Sequence, residues 1–394
     1  MGVARRGAQS GRKPHRVLPP LIVVAILVSA LVGCTGVSQR DREPPPENDP
    51  KVERGIGGRS AEVDQMSLRD MVGQMFMISI GGTEPDYYVN KMIRERNIGG
   101  VLLFGYNMES EAQTAALTGS LQELSMETEP SIPLFIAVDQ EGGEISHAPW
   151  VAPQPAAARV GARGDPAQAR AIAEEMGREL LEAGVNTDLA PVVDTGFGAA
   201  IGTRSFGEDP RLVAEMGAAA VEGFEAAGIV CAAKHFPNHG AATSDSHKSL
   251  PVVDHDPATL RSRDLPPFEA AIEAGVPMVM VGHLLYPAVD PERPASLSPE
   301  AVGMLRGELG FDGVVITDDL AMAGASGDDP PARAAVEAVK AGADLLIISS
   351  PPQQQADAYD AVLGAVESGE IPLERIQDSV ARILKVKGEY SLAR

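Results

Sequence analysis

Residues 210–240, PRLVAEMGAAAVEGFEAAGIVCAAKHFPNHG, contain one helix–strand–loop unit of the pattern that decides the fold. The stretch 210–228 has helical periodicity and ends at Gly228, where the C-cap of a helix is expected. The apolar run GIVCAA follows and predicts a buried strand that ends at Ala233. A polar segment rich in titratable residues comes directly after it. Functional sites are commonly mounted on such loops.

Eight apolar runs of this kind occur after Ser67, and helix-like stretches alternate with them. The runs are QMFMISIGG, IGGVLLFGYN, PLFIAVDQEGG, VNTDLAPVVD, IVCAAKHFPNHG, VPMVMVGHLLYP, DGVVITDDL and ADLLIISSP. The other helix-like stretches include 167–184, 257–275, 298–309 and 331–341, with glycine again near their ends: Gly184, Gly275, Gly310 and Gly342. Continuous apolar strands that alternate with helices predict a parallel sheet buried on both faces.

The number of runs favours an α/β fold of the (β/α)8 TIM-barrel type over an open, doubly wound sheet. No Gly-x-Gly-x-x-Gly sequence opens a helix after a strand, which weakens the dinucleotide-binding alternative. Functional groups of a barrel lie at the C-terminal ends of its strands. Six of the predicted strands end in polar or charged residues. Capping of the next helix would explain one or two of these residues, but not all six. The six ends are Asn107, Asp139-Gln140-Glu141, Asp194, Lys234-His235, His283 and Asp318-Asp319.

Composition and charge limit the kinds of partner. The chain has 394 residues and a formal net charge of −22. Because such a surface repels phosphate groups, neither nucleic acid nor an anionic lipid surface is an expected partner. The two cysteines, Cys34 and Cys231, do not indicate a disulfide scaffold. We expect a monomer with a single catalytic domain.

Residues 1–33 have the layout of a secretory signal peptide. A basic segment, ARRGAQSGRKPHR, leads into the apolar segment VLPPLIVVAILVSALVG and then directly into Cys34. The ending LVGC resembles a bacterial lipobox, in which the cysteine is acylated and becomes the new N-terminus. An uncleaved membrane anchor is the alternative, because roughly 17 apolar residues are close to the shortest span of a bilayer. Both interpretations predict export and attachment to the extracytoplasmic face of the cell membrane.

Residues 34–61 are predicted to contain the lipidated Cys34 and a flexible linker. This segment is rich in proline, glycine and charged residues and has no apolar periodicity. The linker would allow the catalytic domain, residues 62–394, to stand away from the membrane.

Two groups of titratable residues suggest catalysis. Asp318 follows the apolar run VVIT, and a partly desolvated carboxylate at a strand end can act as a nucleophile or stabilise a developing cation. Its alternative role is to cap the next helical turn, which suits Asp319 better. His247 lies two residues after Asp245, so the carboxylate can fix the tautomer of the imidazole and raise its basicity. A surface turn explains the same spacing equally well.

Other kinds of site have weaker support. His235, His239 and His247 with nearby acids are possible metal ligands, but no His-Glu-x-x-His or cysteine-rich spacing occurs. We therefore expect neither a metal nor a cofactor. No Gly-x-Ser-x-Gly elbow supports acyl transfer by a Ser-His-Asp triad, and no Walker-type loop supports phosphate binding.

Several motifs occur together in a recognisable order: GGVLLF, VDQEGG, LAPVVD, IGTRSFGEDP, KHFPNHG with DSHKSLP, PASLSP and GVVITDDLAM. From about Ser67 to about Tyr390, the chain resembles the single-barrel β-N-acetylhexosaminidases of glycoside hydrolase family 3 in bacteria. The resemblance implies a retaining enzyme that acts on cell-wall N-acetylglucosamine through a covalent glycosyl-enzyme intermediate.

The resemblance also implies a role for each matching residue. Asp318 matches the nucleophile, and His247 matches an unusual acid/base with Asp245 as its partner. An intrinsic pKa of about 6.5 suits a histidine to both proton transfers near neutral pH. A neutral imidazole also does not repel phosphate, so phosphorolysis stays open beside hydrolysis. The residues that match sugar-binding positions of the −1 subsite are Asp139, Arg204, Lys234 and His235, with His283 near the same pocket.

The chain departs from the family pattern in the same loops. Asn238 stands where relatives usually have glycine, and asparagine tolerates a positive φ better than most residues. Ala241 and Ala242 replace the usual Asp-Thr pair. Glu144 and His147 stand where arginines are common. We expect these changes to affect the aglycone preference and the ordering of the loop, while the nucleophile and the dyad are intact.

The sequence thus predicts an exported, lipid-anchored enzyme that hydrolyses terminal, non-reducing N-acetylglucosamine from peptidoglycan fragments. Its expected partners are a muropeptide or glycan that contains N-acetylglucosamine, and the membrane through the lipid anchor. One alternative is a β-N-acetylglucosaminide phosphorylase on the same scaffold. The other is a sugar-binding lipoprotein without turnover, although the presence of Asp318 and His247 argues against it.

Overall fold

The computed structural model describes residues 62–327 and 330–392. Its central feature is a sheet of eight parallel, buried strands. One strand lies within each of the eight predicted apolar runs. The strands, β1 to β8, are Phe76–Ser79, Gly100–Leu103, Phe135–Val138, Thr187–Asp188, Val230–Phe236, Met278–Val281, Val314–Thr317 and Leu346–Ile348.

The strands follow one another around the sheet in the order β8-β1-β2-β3-β4-β5-β6-β7. Phe76 of β1 pairs with Leu346 of β8, and Ile316 of β7 forms a parallel bridge with Leu345, directly before β8. The amide of Thr317 also donates a hydrogen bond to the Leu345 carbonyl at 3.0 Å. These contacts join the two ends of the sheet into a barrel. The predicted (β/α)8 fold is therefore confirmed.

Helices connect the strands and cover the outside of the barrel. A short hairpin, Gln140–Gly142 with Ile145–Ser146, follows β3. The α-helices of the described residues, α1 to α13, are Leu68–Gln74, Tyr87–Arg96, Glu111–Met126, Ala157–Gly161, Pro166–Glu182, Pro210–Ala227, Pro257–Thr259, Pro266–Glu273, Pro299–Gly307, Ala323–Ser326, Pro331–Ala341, Pro352–Glu367 and Leu373–Glu389.

Local sequence sets where these helices begin and end. At the start of α6, the Asp209 side chain accepts a hydrogen bond from the Arg211 amide at 3.0 Å, and Pro210 occupies the first helical position. At its end, Gly228 has a φ of 82°, which glycine adopts without a Cβ clash. The other four predicted C-cap glycines also have positive φ: Gly184, Gly275, Gly310 and Gly342. Three of them lie one or two residues after their helices, whereas Gly310 lies three residues after α9.

The strands are buried, and most of their residues are apolar. Val314, Val315 and Ile316 of β7 are fully buried. Burial of each such side chain stabilises the fold by about 1.5–3 kcal/mol. Asp318 comes directly after Thr317, the last residue of β7. Lys234 and His235 lie inside β5, which continues to Phe236 and does not stop at the predicted end, Ala233. Because all eight strands are parallel, these polar ends meet at one mouth of the barrel.

In the part of the chain that the structure describes, no helix is long and apolar enough to cross a bilayer. The predicted signal peptide, Cys34 and the linker through residue 61 lie outside the described residues. The domain boundaries therefore stay predictions.

Candidate active site

The C-terminal ends of the strands surround a cavity of about 330 Å³, a volume within the range of small-molecule sites. Residues of β5 and of the loops that follow β3, β4, β5 and β7 line it. Six of the predicted site residues are among the lining residues: Asp139, Arg204, Lys234, His235, His247 and Asp318.

A network of carboxylates and cations forms one wall of the cavity. Lys234 Nζ contacts Oδ1 of Asp139 and lies 2.8 Å from Oε1 of Glu141. Arg204 donates two hydrogen bonds of 2.7 Å to Glu141, from Nε to Oε2 and from Nη2 to Oε1. Such bidentate pairing fixes the orientation of the guanidinium group. The Asp139 side chain is 24% exposed, so its carboxylate is the part of this network most open to the cavity.

The network keeps these buried groups ionised. Burial raises the pKa of Glu141, but Lys234 and Arg204 outweigh burial and lower that pKa to about 2. Burial lowers the pKa of Lys234, whereas Asp139 and Glu141 raise it above its usual value. The pKa of Arg204 is likewise raised, because pairing with Glu141 outweighs burial. A ligand in the cavity therefore meets fixed charges of both signs.

Asp194 orients His235. It is a buried residue in the segment that follows β4. The Asp194 Oδ2 atom lies 2.7 Å from His235 Nδ1. Its Oδ1 atom accepts hydrogen bonds from the backbone amides of His235 at 3.2 Å and His239 at 2.5 Å. Burial raises the pKa of Asp194, but the two histidines together lower it below its usual value. Nδ1 of His235 thus contacts Asp194. The other ring nitrogen, Nε2, lies 3.4 Å from Nη2 of Arg204.

Asp318 lies in the cavity wall immediately after β7. Its Oδ1 atom accepts a hydrogen bond from the Asp319 amide at 2.8 Å. Burial raises the pKa of Asp318, but His283, His235 and that amide outweigh burial and lower the pKa to about 2. Asp318 is therefore ionised at neutral pH, as a carboxylate nucleophile must be. Asp319 has the turn-capping role instead, since its Oδ1 accepts a hydrogen bond from the Ala321 amide at 3.0 Å.

His247 and Asp245 form a hydrogen-bonded pair in the loop that follows β5. His247 Nδ1 lies 2.8 Å from Asp245 Oδ1, which also accepts a hydrogen bond from the His247 amide at 3.0 Å. Burial raises the pKa of Asp245, but these hydrogen bonds from His247 lower it overall. The His247 side chain is 65% exposed. Because Nδ1 is committed to Asp245, Nε2 is the nitrogen left for proton transfer.

His283, which was predicted to lie near the same pocket, is not among the residues that line the cavity. It is 0% exposed. Its Nδ1 atom lies 2.7 Å from Ser296 Oγ, and its Nε2 atom lies 2.9 Å from the Asp319 carbonyl oxygen. Both ring nitrogens are thus used inside the protein. His283 therefore supports the turn that carries Asp318.

Asn238 also differs from expectation, because its φ of 179° is extended and not positive. Its side chain has a packing role instead. Oδ1 accepts hydrogen bonds from the amides of Thr195 at 2.9 Å and Gly240 at 2.8 Å. Nδ2 donates to the Thr195 carbonyl at 3.1 Å and to Asp264 Oδ1 at 2.7 Å. All four hydrogen-bonding positions of the amide are used, and the glycine usual in relatives has no side chain to make these bonds.

Sequence reasoning did not assign a role to Glu141 or Asp194, and it considered His239 only as a possible metal ligand. Glu141 and Asp194 were visible as polar residues at strand ends, but the partner of each lies in another strand or loop. His239 lines the cavity, and its Nε2 atom lies 2.9 Å from Ser246 Oγ. Spacing along the chain does not reveal such partners.

Within residues 62–327 and 330–392, no group of three or more His, Cys, Asp or Glu side chains is arranged to hold a metal ion. The expectation that the site works without a metal or cofactor stays a prediction.

Residues 67–386 match the family model described as Glycosyl hydrolase family 3 N terminal domain. The chain belongs to glycosyl hydrolase family 3. The match contains all eight strands and every predicted catalytic and sugar-binding residue. The family and the enzyme class predicted from the sequence motifs are therefore confirmed.

Curated relatives in this family carry the name beta-hexosaminidase. Beta-hexosaminidase A of Pseudoalteromonas piscicida is 37% identical over 327 residues, which are 76% of this chain and 54% of the relative. The chain thus spans about half the length of that protein. Beta-hexosaminidase of Stenotrophomonas maltophilia is 37% identical over 303 residues, which are 74% of this chain and 87% of the relative.

Solved structures of family 3 enzymes have the same fold. A β-N-acetylglucosaminidase from a Paenibacillus species superimposes with a TM-score of 0.82 at 41% identity, over 84% of this chain and 64% of the other. A β-N-acetylhexosaminidase from Beutenbergia cavernae superimposes with a TM-score of 0.76 at 33% identity, over 82% of this chain and 99% of the other.

Proposed function

We propose that this family 3 protein is a retaining exo-β-N-acetylglucosaminidase. It removes terminal, non-reducing N-acetylglucosamine from peptidoglycan fragments. The observation that carries the proposal is the cavity itself, which ionised Asp318, His247 and a wall of fixed charges line together. Asp245 is bonded to His247 from outside this lining. The names of the relatives support the choice of sugar.

In the first step, a carboxylate oxygen of Asp318 attacks the anomeric carbon of the sugar. The bond from that carbon to the leaving oxygen breaks, and His247 Nε2 donates its proton to this oxygen. The product of the step is a glycosyl ester on Asp318. Asp245 stabilises the imidazolium before the transfer. Because Asp245 binds Nδ1, it leaves Nε2 as the nitrogen that donates the proton.

In the second step, neutral His247 takes a proton from water while the water oxygen attacks the anomeric carbon. The ester bond to Asp318 breaks, and the carboxylate is regenerated with net retention. Asp139, Arg204, Lys234 and His235 hold the sugar hydroxyl groups during both steps. Their mutual pairing fixes them before the ligand arrives, which lowers the cost of ordering the site.

The roles of the two catalytic residues are distinguished by leaving groups. Asp318→Ala should lose activity on the order of 10⁴-fold for every substrate. His247→Ala should lower kcat/KM about 100-fold for an unactivated disaccharide and little for a dinitrophenyl glycoside, which needs no acid. Equal losses of His247→Ala on both substrates would contradict the acid role. Labelling of Asp318 by a slow fluorinated glycoside, read by peptide mass, tests the covalent intermediate.

Phosphorolysis is the second candidate, because the acid/base is a histidine that is uncharged when the second step begins. Reaction of a muropeptide disaccharide with and without inorganic phosphate distinguishes the two outcomes. Free N-acetylglucosamine in both reactions supports hydrolysis. Accumulation of the sugar 1-phosphate identifies a phosphorylase, and binding without any product identifies a sugar-binding protein.

We also propose that the protein is exported and anchored in the cell membrane through acylated Cys34, and that it acts as a monomer. The parent protein should be labelled by a fatty acid and should begin at Cys34, and substitution Cys34→Ser should abolish the labelling. An unlabelled parent protein that retains residues 1–33 would favour the uncleaved anchor. Size-exclusion chromatography of the domain checks the oligomeric state.

A further inference from the structure

The acid/base pair of the proposed mechanism lies on an exposed loop, yet it must hold a fixed position relative to Asp318. His247 forms hydrogen bonds with Asp245, two residues away in the same loop. Because both residues of the pair belong to the same loop, the hydrogen bonds between them do not fix the position of that loop relative to the barrel. Another residue of the loop must therefore do so.

Ser246, between the two members of the pair, connects the loop to the barrel. Although His247 is 65% exposed, Ser246 is only 1% exposed. Its Oγ atom lies 2.9 Å from Nε2 of His239. Its carbonyl oxygen accepts a hydrogen bond from the Gly324 amide, also at 2.9 Å.

Both anchors of Ser246 belong to well-fixed parts of the molecule. His239 is buried, and its backbone amide donates a hydrogen bond to Asp194 at 2.5 Å. Gly324 lies in α10, the first helix after Asp318. A Cβ atom on Gly324 would lie 3.0 Å from the Ser246 carbonyl oxygen and 2.8 Å from Cβ of His283. Glycine therefore permits the close approach.

We propose that Ser246 is the positioning residue that sets the place of His247 relative to Asp318. It joins the end of β5, through His239, to the segment that follows β7, through Gly324. The acid/base half and the nucleophile half of the site are thereby connected through one buried side chain and its carbonyl group. This inference rests on the proposed roles of His247 and Asp318.

Substitution Ser246→Ala removes the bond to His239 and leaves the bond from Gly324 in place. We expect kcat/KM for an unactivated N-acetylglucosamine disaccharide to fall about tenfold, because proton donation by His247 is misaligned. For the dinitrophenyl glycoside the loss should be less than about twofold, since that leaving group needs no acid. kcat/KM is the suitable constant because it reports the first step alone.

Two further variants separate positioning from general damage to the loop. Ser249→Ala changes an exposed serine of the same loop and should leave both substrates unaffected. Ser246→Thr retains the hydroxyl group and should recover most of the disaccharide activity. Equal losses of Ser246→Ala on both substrates, or a threonine variant no better than alanine, would overturn the proposal.

A double-mutant cycle shows whether Ser246 acts through His247. In a His247→Ala background, the further change Ser246→Ala should have no added effect on the disaccharide, because the residue it positions is gone. Additive losses would overturn the inference. If His247→Ala shows no dependence on the leaving group, the proposed function fails first. If the loss in His247→Ala depends on the leaving group but the loss in Ser246→Ala does not, only the positioning role of Ser246 fails.

Discussion

Glu141 is the residue on which the charged wall of the cavity depends. It pairs with both Arg204 and Lys234, and all three side chains are largely buried. Substitution Glu141→Gln keeps the shape but removes the carboxylate that is bonded to Arg204, while Lys234 keeps its contact with Asp139. We expect the free energy of unfolding to fall by about 3 kcal/mol, because an uncompensated charge stays buried. Denaturant unfolding measures this change.

The same variant should lose kcat/KM on the order of 100-fold, since Arg204 and Lys234 no longer have fixed orientations. Glu144→Gln is the matched control, because Glu144 is an exposed glutamate of the same hairpin. Its unfolding free energy should stay within about 0.5 kcal/mol of the parent protein. Similar behaviour of the two variants would show that Glu141 has no special role.

At the scale of elements, the loop after β5 depends on Asn238, which joins it to Thr195 and Asp264. Asn238→Ala deletes these hydrogen bonds and leaves buried polar groups without partners. We expect a loss of stability of about 2 kcal/mol in denaturant unfolding. The backbone of Asn238 is extended, so glycine has no conformational advantage at this position. We expect Asn238→Gly to be slightly less stable than Asn238→Ala, because glycine loses more entropy on folding. Full stability of the glycine variant would contradict the role assigned to the side chain.

At the scale of the whole molecule, two carboxylates connect stability to pH. The pKa of Asp318 is lowered from 3.8 to about 2, and that of Glu141 from 4.5 to about 2. A lowered carboxylate pKa contributes stability that is complete above the unfolded value and is lost as the pH falls through the folded value. As these two groups become protonated, the Tm of the protein should therefore decline between about pH 4.5 and 2.

Asp318→Asn removes one of the two linked groups, so its Tm should decline less steeply over the same pH range. Thermal unfolding from pH 7 to pH 2 measures both curves. An unchanged slope would mean that the pKa of Asp318 is not lowered in the folded protein.

Much of the fold follows from local sequence. The predicted runs locate all eight strands, although β4 itself is the polar pair Thr187–Asp188. Gly228 and similar glycines mark helix ends. Both signals are local, because burial and capping depend on residues within a few positions of each other. The same is true of the His247–Asp245 pair, whose members are two residues apart, and of Asp318 at the end of β7. Family motifs added the sugar-binding positions.

Only the tertiary structure decided how these residues are held. Lys234 and Asp139 meet across 95 residues of sequence, and Arg204 meets Glu141 across 63. Such pairs form because closure of the barrel brings distant strand ends together, and spacing along the chain does not encode that distance. For the same reason, spacing along the chain did not reveal that both ring nitrogens of His283 contact other residues, Ser296 and the Asp319 carbonyl.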